Sequence, residues 1–155
     1  MSIAEYRRLF GLVRLRPGMY LIRADFPEVV AFVLGCDLGS AGLLTGFREW
    51  LMTRAGGGSN WTWWALVLRL VDPVNDPSPR DLTPEMDEQA VAMLFDCLDD
   101  FLRLREEKDG LRRIYAAYEA WLAAPSGEDK QASAQSWPRP RDTVRYDPTA
   151  RSGPA

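Results

Sequence analysis

Histidine is absent from the whole 155-residue sequence. This removes the commonest general acid/base and the commonest zinc ligand. It also excludes Ser-His-Asp and Cys-His nucleophilic catalysis. Cysteine is scarce: Cys36 and Cys97 lie far apart, form no CxxC pair and have apolar neighbours. In a chain with no secretory signal, such cysteines are expected to be buried thiols rather than a disulfide. Basic charge is in deficit, with 19 Lys and Arg against 22 Asp and Glu, a net charge of -3 and a pI near 5.1. Direct nucleic-acid binding needs clustered cations and is not expected; a basic protein partner suits the balance. No run approaches the roughly 20 apolar residues of a membrane span. Met1 to Glu5 has neither a basic n-region nor an apolar h-region. The expectation is a cytoplasmic protein without a membrane partner.

What is present describes a globular chain, 46% hydrophobic and 26% charged. The length suits one domain. Ser2 and Glu5 have the spacing of a capping box, and Ile3, Tyr6, Leu9, Phe10 and Val13 recur at helical spacing. Pro17 ends this helix, because the residue before a proline is pushed out of the α region. Pro17-Gly18 predicts a type II turn, with Met19 to Ile22 as a short extended segment. Asp25 predicts the cap of a second helix, apolar on most sides and therefore central; Gly35, Gly39 and Gly42 either allow close packing or mark a break near Gly39-Ser40. Leu43, Leu44, Phe47, Trp50 and Leu51 predict a third. Gly56 to Ser59 forms a loop, and Asn60 is the expected cap of a Trp-rich helix stopped at Asp72-Pro73. Thr83-Pro84-Glu85 opens a long helix to about Lys108. Gly110 separates it from a last helix containing Leu111, Ile114, Tyr115, Tyr118, Trp121 and Leu122.

The fold expected is therefore all-α: one domain over residues 1–124 with five or six helices. Residues 125–155 lose the apolar stripe and read as a tail that is disordered or ordered by a partner. Trp137, Tyr146 and the Arg139, Arg141 and Arg145 series are its candidate docking residues. No GxGxxG, Walker loop or nucleophile elbow occurs, and neither a cofactor nor a metal site is expected.

Arg16-Pro17-Gly18-Met19-Tyr20 resembles a segment of type II topoisomerase ATPase domains. In those domains the next helix carries a catalytic Glu and a magnesium-binding Asn. Here Glu28 precedes Val29-Val30, but no Asp-Asn follows, and the glycine-rich ATP-lid motifs are missing. Without the Asn, the phosphates have no metal anchor. The chain more closely resembles a group of small bacterial proteins of toxin-immunity type. The matching segments are Arg16 to Leu21, Phe32-Val33-Leu34-Gly35, Phe47 to Leu51, Ser59-Asn60-Trp61 and Phe95 to Phe101. Ile22 departs from that pattern, where a glycine is usual, and so does the Gly-rich loop. The resemblance implies a small protein that blocks a cognate toxin by binding it.

Two constellations suggest how. Asp96, Asp99, Asp100 and Arg103 share a face of the long helix, and Glu107 lies just beyond. They read either as an electrostatic lure for a basic toxin surface or as a solvated face. Trp61, Trp63 and Trp64 read mostly as core, with Trp63 as the candidate exposed anchor. The partner-binding set is thus Asp96, Asp99, Asp100, Glu107 and Trp63. The expected function is non-enzymatic binding of a bacterial toxin domain by an immunity protein. The alternative is an accessory subunit of a larger bacterial complex, which predicts a large exposed apolar patch.

Overall fold

The structure is a computed structural model, and it describes residues 1–57 and 60–124. Six α-helices follow in order: α1 (Ile3–Leu15), α2 (Phe26–Ser40), α3 (Phe47–Ala55), α4 (Trp63–Val71), α5 (Pro84–Glu106) and α6 (Gly110–Ala123). A 3₁₀ turn, Pro17–Met19, links α1 to α2. No strand occurs among the described residues. The all-α, single-domain expectation holds. The tail and its candidate docking residues lie outside the described residues, as do Gly58 and Ser59.

Helix starts follow local chemistry. The Ser2/Glu5 capping box forms in both directions: the Ser2 hydroxyl accepts from the Glu5 amide at 3.3 Å, and the Ser2 amide donates to the Glu5 carboxylate at 2.5 Å. Asp25 caps α2, and Thr83 caps α5 ahead of Pro84. Asn60 does not cap α4; Thr62 stands at that position in extended backbone. The turn after Arg16 is not type II. Tyr20 N–H and Leu21 N–H both donate to the Pro17 carbonyl, at 2.9 and 2.8 Å. The first bond closes a 3₁₀ turn and the second, spanning one residue more, is of α type; Gly18 is not among the residues with positive φ that a type II turn demands there. Met19 to Ile22 therefore coils and does not extend.

The centre of the molecule is α5, not α2. It packs most extensively on α1 and α4 and also touches α2 and α6. Ala90, Leu94, Phe95, Cys97, Leu98, Phe101 and Leu102 are its buried residues, and α1 faces it with Tyr6, Phe10 and Val13. Phe101 meets Phe47 at 4.9 Å and Trp50 at 6.0 Å between ring centroids, and Phe47 meets Trp63 at 5.7 Å. Fully burying one such side chain is worth about 1.5–3 kcal/mol, so this aromatic junction fixes how α3, α4 and α5 meet. By contrast, α2 buries only Phe26, Val29, Val30 and Val33, and Leu38 stands 85% exposed. The expectation of a central helix, drawn from apolar residues on most sides, is corrected: one face is buried, with Phe32, Leu34 and Cys36 half-buried beside it.

Candidate functional site

The Arg16–Ile22 turn is a hydrogen-bonded, exposed apolar projection. Residues Leu15 to Tyr20 are all exposed. Leu15 and Met19 are 72% and 70% exposed, Ile22 is 96% exposed, and Leu12 and Tyr20 add to the same stretch. Leu21 alone turns inward and is buried. This side chain anchors the turn, and the two bonds to the Pro17 carbonyl set its curvature.

Glu28 holds the far side. Its carboxylate accepts from three successive amides: Ile22 at 3.1 Å, Arg23 at 2.7 Å and Ala24 at 2.6 Å. Successive N–H groups converging on one anion form a nest. The hydrogen bond from Ile22, then those from Ala24 and Arg23, hold the Glu28 carboxyl below its ordinary pKa. Ala24 is forced to a φ of 57°, in the left-handed region costly for a residue with a Cβ. The Asp25 cap and the nest compensate. Phe26 N–H then donates to the Asp87 carboxylate at 2.9 Å, tying the start of α2 to α5. Glu28, which in the ATPase resemblance stands near the catalytic position, is thus a structural pin.

The acidic face of α5 is matched from within. Arg7 of α1 reaches Asp99 at 2.6 Å and Glu106 at 2.8 Å, and Arg14 reaches Asp96 at 2.5 Å. Hydrogen bonds to Asp99, then to Glu106, raise the Arg7 pKa. Asp100 pairs with Arg103, and Glu107, at the end of α5, pairs with Arg113. Trp63 is 9% exposed and lies against Phe47 and Trp64. The expected exposed anchor is a core residue, because position 63 is the first residue of α4 and its ring turns toward the aromatic junction. The five residues named from the sequence therefore do not form one surface: Asp96, Asp99 and Asp100 run along α5, Glu107 ends it, and Trp63 is interior.

Two further features carry chemistry of interest. A cleft of about 310 Å³ is lined by Trp61, Thr62, Ala65, Arg69, Asp76 and Pro77. Arg69 pairs with Asp76 at 2.8 Å there, and its guanidinium lies 4.9 Å from the centre of the Trp61 ring. Inside the protein, Arg54 stacks on Trp50 at 3.4 Å, and burial lowers its pKa to about 10. The Cys97 thiol is pushed up to about 12 by the same desolvation. Both cysteines are free thiols, but only Cys97 is buried as expected; Cys36 is half-buried. Among the described residues, no group of three or more Cys, Asp or Glu side chains is arranged to hold a metal ion, and no helix is long and apolar enough to cross a membrane.

The exposed turn was the feature that periodicity could not deliver. Its apolar residues look like core in sequence. Only the burial of Leu21 between two exposed neighbours reveals which way the turn faces. No protein-family model matches this chain, and no similar curated protein or solved structure is found.

Proposed function

We propose that this chain is a non-enzymatic protein-binding domain of the immunity type, which neutralises a cognate bacterial toxin in the cytoplasm by direct binding and occlusion. The observation that carries this reading is the Arg16–Ile22 turn: large apolar side chains held outward on a backbone pinned by Glu28 and Leu21. A contact surface ordered in advance avoids part of the entropy cost of association. Exposed apolar groups on such a turn serve binding better than they serve the free chain. Gly18 supports the same reading. Its φ is not positive, and a Cβ there would meet no atom within 4 Å, so neither strain nor crowding inside the fold explains it. It leaves bare backbone beside Met19, which a partner can approach closely.

The acidic face of α5 acts as a clamp on α1 and not as a lure. Asp96 and Asp99 already have cationic partners on α1. Occlusion then falls to the turn and the adjoining surface of α1.

The test is affinity capture with the tagged full chain from its native bacterium, followed by co-expression with the captured protein. A single toxin-domain partner, and rescue of growth by this chain, is the expected result. A Leu15→Ser/Met19→Ser/Ile22→Ser variant should retain its helical circular dichroism and lose the rescue. Rescue that survives these changes refutes the turn as the contact. The second reading, an accessory subunit, is favoured by the same exposure of Ile22 and Met19. It predicts several stoichiometric subunits in the capture and an isolated chain that self-associates.

A further inference from the structure

We infer that the cleft at the start of α4 binds a free α-amino acid with an apolar side chain. The inference goes beyond the protein-binding reading and does not depend on the Arg16–Ile22 turn.

The cleft lies along α4. Thr62, Ala65 and Arg69 line it and follow one another at helical spacing, so they share one face. Trp63, Leu66 and Val67, on another side of the helix, are buried. Trp61 joins the lining from before the helix, and Asp76 and Pro77 from the loop after it. Both flanking segments are held by hydrogen bonds. Arg48 of α3 donates from Nε to the Trp61 carbonyl at 2.9 Å. The loop is ordered by the Asp72 carboxylate, which accepts from the Val74 and Asn75 amides, each at 3.1 Å, and from the Asn75 side-chain amide at 2.8 Å. Asp76 follows with a left-handed φ of 45° and pairs with Arg69.

The charge pattern selects the ligand. Arg69 and Asp76 cancel, so a lone anion meets Asp76 and a lone cation meets Arg69. An uncharged apolar molecule would strip water from both and replace none of it. A zwitterion answers both. By standard bond lengths, the carboxylate oxygen and ammonium nitrogen of an α-amino acid lie about 3 Å apart. The Arg69 Nη1 to Asp76 Oδ1 separation is 2.8 Å. Laid head to tail on this pair, the ligand carboxylate meets Arg69 and its ammonium meets Asp76. Both protein groups have capacity to spare. Their own bond takes one of the five N–H donors of Arg69 and one of the two oxygens of Asp76, and Asp76 stays 55% exposed.

The rest of the lining suits the side chain. Trp61, Ala65 and Pro77 are apolar, and the Thr62 hydroxyl makes no capping bond. A volume of about 310 Å³ stands at the small end of ligand pockets, which fits a single amino acid. A residue within a peptide has lost both charges to its amide bonds, so the ligand is the free molecule.

The experiment titrates the full chain with L-leucine, L-methionine and L-phenylalanine and follows backbone amides by two-dimensional NMR. The N-acetyl derivative of each lacks the ammonium, the amide derivative lacks the carboxylate, and glucose lacks both. At least one of the amino acids should shift the Thr62, Ala65, Arg69 and Asp76 amides saturably. Its two derivatives should each bind at least about tenfold more weakly. Asp76→Asn should weaken binding of the amino acid by a similar factor and leave that of its N-acetyl derivative unchanged. Arg69→Gln should do the same with the amide derivative as the indifferent ligand. Asp76→Asn alters an exposed side chain, so the test stands even where Arg69→Gln fails to fold. No saturable shift with any of the three amino acids, equal binding of the derivatives or of glucose, or shifts confined to residues away from the cleft would each overturn the inference.

Discussion

Gly110 offers a sharp test of the packing between α5 and α6, because two ordinary rules give opposite signs there. Gly110 is the first residue of α6 and is buried. On helix propensity, Gly→Ala is worth up to about 1 kcal/mol of added stability. A Cβ at this position, however, would lie 1.9 Å from the Leu104 carbonyl oxygen and 2.9 Å from its carbon. The first distance is over an ångström inside the 3.0 Å that real Cβ atoms keep. The obstacle is backbone, so no rotamer change relieves it. The junction has to open, straining the 3.0 Å hydrogen bond from Gly110 N–H to Glu107 and lifting Ile114, only 2% exposed, off its neighbours. Overpacking of this kind costs typically about 1–3 kcal/mol, occasionally more. Gly110→Ala is therefore expected to destabilise by a net ~1–3 kcal/mol. The control is Gly35→Ala. Gly35 lies inside α2, where a Cβ would meet nothing within 4 Å, so propensity acts alone and stability should rise by about 0.5–1 kcal/mol. Urea unfolding followed by circular dichroism reads both. With a slope of about 1–3 kcal/mol/M, the two midpoints should move in opposite directions by measurable amounts. A midpoint for Gly110→Ala at or above that of the parent chain would refute the close approach of α6 to Leu104.

Three further outcomes are expected. Changing Asp96 and Asp99 to Ala should lower stability by about 0.2–1 kcal/mol for each exposed ion pair lost, and a double-mutant cycle with Arg7→Ala and Arg14→Ala should recover that coupling. Partner affinity should move little, and a tenfold loss would restore the acidic face as the contact. The Glu28 carboxyl has a folded pKa below its ordinary value of 4.5, so its contribution is complete above 4.5 and is lost as pH falls through the lowered folded value. Amide resonances of Ile22 to Ala24 should report that loss below pH 4.5, and Glu28→Gln should flatten the titration; unchanged resonances down to pH 2 would exclude the nest. Cys97 should resist a thiol reagent at pH 8 until denaturant is added, since its thiol is buried with a pKa of about 12; Cys36, less buried and only raised, should react in the native state.

Local rules governed what could be read without the structure. Ser2-x-x-Glu5, Asp25 and Thr83-Pro84 marked helix starts because a cap needs only residues within one turn of itself. The stripe of Tyr6, Phe10 and Val13 marked a buried face because helical period alone fixes which residues share a side. The absence of histidine removed whole classes of chemistry by composition. The tertiary structure decided everything that depends on a second element. Asp96 and Asp99 look like a free acidic face in sequence, and only the packing of α1 on α5 brings Arg7 and Arg14 to them. Helical spacing sets Trp63 apart from Trp61 and Trp64 and makes it the candidate anchor, and only the aromatic junction at Phe47 shows that its ring turns inward. Leu15, Met19 and Ile22 carry the same hydrophobic signal as core residues, and solvent exposure belongs to no residue by itself. Hydrophobicity states what a side chain gains by burial; which side chains obtain it depends on the surfaces packed against them, and at this turn the described residues cover Leu21 but not Leu15, Met19 or Ile22.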